Sequence, residues 1–247
     1  MIRGLRDITV WRVFPAALTR ALVGAALAPW CPACGEPAGR HRAGVCMPCW
    51  DEVDADSFPA GLGVVEGVDA EPAISLSVVG PYEGRLRRIV RCFKFREAPG
   101  LGIPLGERLA ARVAGSGRGV DMIVPVPLHW RRRRRRGYNQ AELLGVPLAR
   151  ALGCPADHRA LRRLRRTAAQ SGRSRDERAL NVRQAFAAQE SRVRGARVLL
   201  VDDVVTTGAT LRECARVLEA AGAIEVSAAV VARTMTRSDS EGRCRGI

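Results

Sequence analysis

Lysine is almost missing. Of the 40 lysines and arginines in the 247-residue chain, Lys94 is the only lysine, and 25 acids leave a formal net charge of +15. Part of that arginine excess reflects a genome that writes Arg where others write Lys. The remainder points to phosphate-bearing partners: nucleic acid, nucleotides or an anionic membrane surface. Aromatic residues make up only 4%, so a surface built mainly from stacking rings is excluded. No apolar run reaches the ~18 residues of a membrane-spanning helix. Residues 1–28 contain basic and apolar stretches, but Asp7, Arg12, Pro15 and Arg20 interrupt them. They read as a short leader packed on the neighbouring part of the chain, not as a signal peptide.

Histidine is scarce as well, three in all: His129 and His158 read as solvated, and His41 lies between the two cysteine pairs but is not needed as a ligand. Cysteine is present but unevenly spread. Cys92, Cys154, Cys214 and Cys244 are scattered singly, which suits a reducing compartment and a cytoplasmic protein. Cys31, Cys34, Cys46 and Cys49 form C-x2-C-x11-C-x2-C. Two such turns present four thiolates to one tetrahedral zinc ion with no open position, a structural site. Two disulfides or a redox pair are the competing readings, and both fit a reducing compartment poorly. The chain thus divides into a zinc module over 29–55, a Gly/Pro-rich linker over 56–72, a larger domain over 73–236 and a polar tail over 237–247.

In the larger domain short apolar strands alternate with helices. Strands are expected at 73–79, 121–127, 184–188, 197–204 and 224–232. Helices are expected at 85–95, from Pro104 to Val113, from Asn139 onward and at 210–221. Asn139 and Glu142 have the spacing of an N-cap and its return partner, Pro147 should break or kink the helix they start, and Gly222 should end the last one. The arginine- and serine-rich stretch 159–183 reads as a mobile loop with a little helix. This alternation implies an α/β fold, a parallel sheet flanked by helices, behind a small zinc-knuckle module.

One stretch carries the chemistry: Leu199–Leu211, "LLVDDVVTTGATL". An apolar strand ends in two carboxylates, and a threonine-glycine loop opens a helix. Ligands of open α/β sheets bind beyond the C-terminal ends of the strands. There the helix offers unpaired N–H groups and the positive end of its dipole. Thr206, Thr207 and Thr210 add hydroxyls, and Gly208 lets the backbone come close, so a phosphate fits the loop. Asp202 and Asp203 need partners that want acceptors: sugar hydroxyls or a hydrated Mg2+. A ribose 5-phosphate unit meets both needs.

The same stretch resembles the signature with which type I phosphoribosyltransferases bind phosphoribosyl pyrophosphate. With "CPAC", "CMPC", "FKFR", "PVPLHWRRRRRRGYNQAELL" and "RTAAQSGRSRDERALNV" in this order, residues 29–233 resemble the ComF family of competence-associated proteins. The resemblance implies a type I phosphoribosyltransferase-like sheet and transfer of a phosphoribosyl group to a nitrogen acceptor. Asp202 and Asp203 would hold the ribose hydroxyls and help place Mg2+. Thr206, Thr207, Gly208, Ala209 and Thr210 would hold the 5-phosphate. Lys94, Arg131 and Arg132 would meet the pyrophosphate, and residues 163–183 would close as a hood.

Nothing near Val230–Arg233 names an acceptor base. A non-catalytic protein that senses the sugar phosphate or binds single-stranded DNA therefore stands beside the enzyme. A competence helicase is the implied partner in that case. Trp130 and Tyr138 flank the arginine run, Trp30 and Trp50 flank the knuckles, and all four could stack on bases or simply pack. Arg133–Arg136 would supply the outer phosphate patch.

Overall fold

The structure is a computed structural model and describes residues 30–37, 39–58, 64–65, 73–95, 98–165 and 184–235. The leader over 1–28, most of the linker, residues 166–183 of the expected hood and the tail over 237–247 lie outside the described residues.

The cysteine turns come first. β1 (His41–Arg42) pairs antiparallel with β2 (Val45–Cys46), and α1 (Met47–Ala55) follows with Pro48 in its first turn. Next are β3 (Val64–Val65), β4 (Ile74–Pro81), α2 (Gly84–Phe95), a short 3-10 turn (Pro99–Leu101), α3 (Gly102–Ala114) and β5 (Met122–Pro125). The remainder is α4 (Trp130–Arg136), α5 (Gln140–Leu152), β6 (Leu161–Arg163), β7 (Phe186–Ala188), α6 (Glu190–Val193), β8 (Arg197–Val205), α7 (Ala209–Ala220) and β9 (Glu225–Arg233).

The central sheet has the order β3-β4-β9-β8-β5. β3 is antiparallel to β4, and the other four strands are mutually parallel. Strands covered on both faces read as continuous apolar runs, and their side chains still alternate. On β8, Leu199 and Val201 face the layer of α2, α3 and α5. Val198 and Leu200 face α7 and the β6–β7 pair. The cysteine turns pack into the first of these layers: Trp50 is fully buried there, and Cys31, Val45 and Val53 join the same core. Arg85 and Arg88 of α2 both donate to Ala33 O, at 3.2 and 2.9 Å. Arg108 of α3 holds Asp54 through two hydrogen bonds of 2.6 Å and lies 4.2 Å above the Trp50 ring.

The expected strands and helices lie within a few residues of their places, but β1, β2, β3, α1 and α6 were not expected, and β3 falls in the stretch read as a linker. Four further points concern the expected segments and the arginine run. Pro147 does not break α5, which runs through it to Leu152. The glycines of α3 accommodate it: Gly106 faces the Pro147 ring, and Gly102 faces Leu143, where a Cβ would come within 2.8 Å of Leu143 Cβ. Asn139 caps α5 by accepting from Ala141 N at 3.2 Å, but Glu142 returns to the Asn139 amide at 3.5 Å instead of its backbone N–H. The described part of 159–183 contains a strand, β6, and no helix, because Leu161 and Arg163 pair with Ala188 and Phe186 of β7. Finally, the arginine run is helical. His129 caps it by accepting from Arg131 N at 3.2 Å, and Gly137 ends it at φ 77°.

Candidate functional site

β8 carries its two acids at its C-terminal end, and the strand's period of two sends them to opposite faces. Asp203 follows the side of Val201 and is buried, with 6% of its surface exposed. It meets Lys94 from the end of α2, with Nζ 2.9 Å from its Oδ1. Asp202 follows the side of Leu200, toward α7 and β6, and its Oδ1 accepts from Asp203 N at 2.8 Å. Burial, then the adjacent Asp203 charge, push the Asp202 carboxyl up to about 7, against the opposing pull of Lys94 and Arg163.

Lys94 is held by the segment that follows the arginine helix. Tyr138 Oη and Gln140 Nε2 both donate to Phe93 O, at 2.6 and 3.3 Å. Asn139 Nδ2 donates to Val126 O at 3.1 Å. "YNQ" therefore clamps the C-terminal turn of α2 to the end of β5, and Lys94 is aimed at the acids as a result.

Beyond β8 the chain turns through Thr206–Gly208 into α7. Gly208 has φ 76°, a left-handed conformation that L side chains rarely adopt. Arg212, itself 4% exposed, donates from Nη1 to Thr207 O at 3.0 Å. That contact ties the loop to α7, whose first N–H groups have no partner within the helix. Thr207 and Thr210 are partly exposed, and Gly208 and Ala209 are buried. The acid pair, Lys94 and the threonine loop thus share one end of the sheet.

The two expected pyrophosphate arginines separate. Arg131 is exposed, with its guanidinium 5.1 Å from the Trp130 ring centre. Arg132 is partly buried, and its charge reaches Arg163. Arg163 of β6 was not among the expected site residues. Its guanidinium lies 5.1 Å from the Phe186 ring centre, and burial, then Arg132, lower its proton affinity while Asp202 opposes them. Its local sequence gives no signal, since it is one arginine among many. Cys214 is fully buried beside Asp202, and that burial raises its thiol well above the ordinary range.

The four knuckle cysteines converge separately. Their sulfurs all lie within 4.8 Å of one another, with Cys31–Cys49 at 3.9 Å and Cys34–Cys46 at 3.7 Å. Zn–S bonds of about 2.3 Å in a tetrahedron give S···S edges of about 3.8 Å, so the donor set fits such an ion. Burial pushes the Cys31 thiol up, but N–H donors from Cys46, Cys34 and Ala33 outweigh it and lower it to about 6. Burial pushes the Cys46 and Cys49 thiols up instead, so without an ion the cluster favours a thiolate at Cys31 and not at all four positions. Among the described residues this is the one cluster of metal-ligating side chains drawn together in this way.

Residues 139–243 match the phosphoribosyl transferase domain family. The chain is 35% identical over 217 residues to DNA utilization protein YhgH of Salmonella typhi, covering 85% of this chain and 93% of that one. It is 31% identical over 163 residues to Competence protein F of Haemophilus influenzae, covering 63% and 71%. The chain belongs to the ComF family. Solved structures similar to part of the chain include a glutamine phosphoribosylpyrophosphate amidotransferase from B. subtilis complexed with ADP and GMP. It is 26% identical, with a TM-score of 0.38, over 53% of this chain and 26% of that one. An adenine phosphoribosyltransferase from Leishmania donovani is 15% identical, with a TM-score of 0.41, over 78% and 71%. In this ComF-family chain the phosphoribosyl transferase domain accounts for the sheet end that carries the acids and the threonine loop, and the cysteine cluster lies outside the matched residues. No helix among the described residues is long and apolar enough to cross a membrane.

Proposed function

We propose that the end of β8 binds phosphoribosyl pyrophosphate with Mg2+ and that the chain transfers the phosphoribosyl group to a nitrogen acceptor. The observation that carries this reading is Asp203, buried and paired with Lys94 at 2.9 Å, one turn of chain from a glycine-opened helix N-terminus. Asp202 and Asp203 would accept from the ribose hydroxyls and supply the oxygen donors that Mg2+ prefers. Mg2+ would neutralise charge on the pyrophosphate leaving group. Thr206, Thr207, Gly208, Ala209 and Thr210 would hold the 5-phosphate. Lys94 would exchange Asp203 for the pyrophosphate, with Arg132 and Arg131 beside it. Fixing both ends of the sugar favours an oxocarbenium-like transition state at C1.

Differential scanning fluorimetry tests the binding step. Phosphoribosyl pyrophosphate with Mg2+ should raise the melting temperature of the parent by mass action, and Asp202→Asn with Asp203→Asn should abolish the shift. An undiminished shift in the double variant would remove these acids from the site. Pyrophosphate release on adding nitrogen bases then tests the transfer.

A second reading is favoured by α4. Arg131, Arg133 and Arg134 are exposed on it, beside two relatives whose names refer to DNA utilization and competence. In this reading the chain also contacts single-stranded DNA. A structural zinc ion in the cysteine cluster and a reducing, cytoplasmic setting complete the proposal.

A further inference from the structure

We propose that the groove between the first cysteine turn and α2 is a binding site for unpaired bases of single-stranded DNA. The proposal rests on the reading in which the chain contacts DNA and does not depend on the sugar-phosphate reading. The groove encloses about 680 Å3 between Trp30, the turn through Gly35, and Arg88, Arg91, Cys92 and Phe95 of α2. That volume falls in the range of small-ligand sites, and neither Asp202 nor the threonine loop is among the residues that line it.

The residues that line it decide the ligand class. The chain has eleven aromatic residues of Phe, Trp and Tyr type, and the fold buries Trp50 and Phe93 completely. It nevertheless leaves Trp30 68% and Phe95 60% exposed, both at this groove. Flat rings held open to water at one cavity suit flat ligands, and every nucleobase presents a face to stack on. Among the described residues no carboxylate lines the groove; its charged residues there are Arg88 and Arg91. Arg88 is anchored by its 2.9 Å bond to Ala33 O, so part of its position is set before any ligand arrives. Arg91 is exposed and makes no ion pair among the described residues.

Phe95 links the groove to the arginine helix, because the Arg136 guanidinium lies 5.0 Å from its ring centre. A backbone leaving the groove would therefore meet α4. In a duplex the base faces are already stacked, so open rings select a single strand. The Trp30 side of the groove belongs to the cysteine turn, so its shape depends on the metal site that folds that turn.

The test is fluorescence anisotropy of a labelled oligothymidylate with the zinc-loaded full chain. Trp30→Ala and Phe95→Ala should each weaken binding about tenfold and leave the salt dependence unchanged. Arg88→Gln with Arg91→Gln should also reduce the salt slope, by about one per lost phosphate contact. Trp30→Phe and Phe95→Tyr keep a ring and should restore most of the affinity. Zinc content and melting temperature of each variant report whether the turn still folds. The same variants should keep the parent's thermal shift with phosphoribosyl pyrophosphate. Asp202→Asn with Asp203→Asn should lose that shift and bind the oligonucleotide as the parent does. Parent-like binding by the folded Trp30→Ala, Phe95→Ala double variant would overturn the groove assignment. So would tighter binding of oligouridylate or duplex DNA than of oligothymidylate.

Discussion

Asp202 and Asp203 are adjacent in sequence and differ in environment. Asp203 has a cation at 2.9 Å, whereas Asp202 has its carboxyl pushed up to about 7 by burial and by Asp203. An acid raised in the folded state holds a proton that the unfolded chain releases. Stability from this group is therefore fully present below the ordinary 3.8, falls as pH rises toward about 7, and stays lower above it. Asp202→Asn should flatten that decline and be more stable than the parent at pH 8 by roughly 2 kcal/mol, allowing for partial solvent screening. Denaturant titrations at pH 5 and pH 8 measure the difference, and equal decline in parent and variant would contradict it. The same ionisation bears on function. A carboxylate that accepts from ribose hydroxyls must be charged, so the shift with phosphoribosyl pyrophosphate and Mg2+ should grow as pH rises through about 7.

At the scale of elements, the crossing of α3 and α5 governs how the site's supports are held. α5 begins with the Asn139 and Gln140 clamp on β5 and α2. Its later turns pass close to α3 because Gly102 and Gly106 have no side chains. A Cβ at Gly106 would enter the Pro147 ring and come within 2.9 Å of Leu144 O. Gly106→Ala should therefore destabilise the chain by about 2 kcal/mol, as overpacking does. Adding Pro147→Ala should recover part of the loss by removing the ring, and chemical denaturation of the three variants checks the order. Pro147 also shows why the sequence misleads here. Its pattern announces a break, and only the neighbouring helix reveals why the break does not occur. For the arginine run the sequence leaves helix and loop open, since six like charges repel in either; a cap from His129 and bonds from Arg133 to Glu142 and Arg136 to Gln140 hold it as a helix.

Across the whole molecule, the cysteine cluster and the sheet share one core. Cys31, Cys46 and Cys49 pack in the same layer as α2 and α3, and the ion pairs of Arg108 with Asp54 and Arg85 with Glu52 cross between them. Purified chain should carry one zinc per molecule. Removing it with a chelator, or replacing Cys31 by Ser, should lower the main melting transition instead of producing a separate early one. Calorimetry with metal analysis checks this, and an unchanged main transition after complete zinc loss would separate the module from the core.

The sequence by itself determined the four parallel strands of the sheet and the longer helices beside them, but not the short antiparallel β3, because each pattern is local: period two, period 3.6, a cap, a terminal glycine. It also determined the four-cysteine set and the acid-threonine-glycine turn, since those donors are close in the chain. Only the tertiary structure decided what meets them. Lys94 comes from a separate helix more than a hundred residues before Asp203, Arg163 from a strand with no distinguishing neighbours, and Tyr138 and Gln140 act through Phe93 O, a backbone atom that no side-chain pattern encodes. The assignment of Asp202 and Asp203 to opposite faces follows from the pleat, but which layer covers each face is set by the packing of α2 and α7, and that packing is a property of the folded chain.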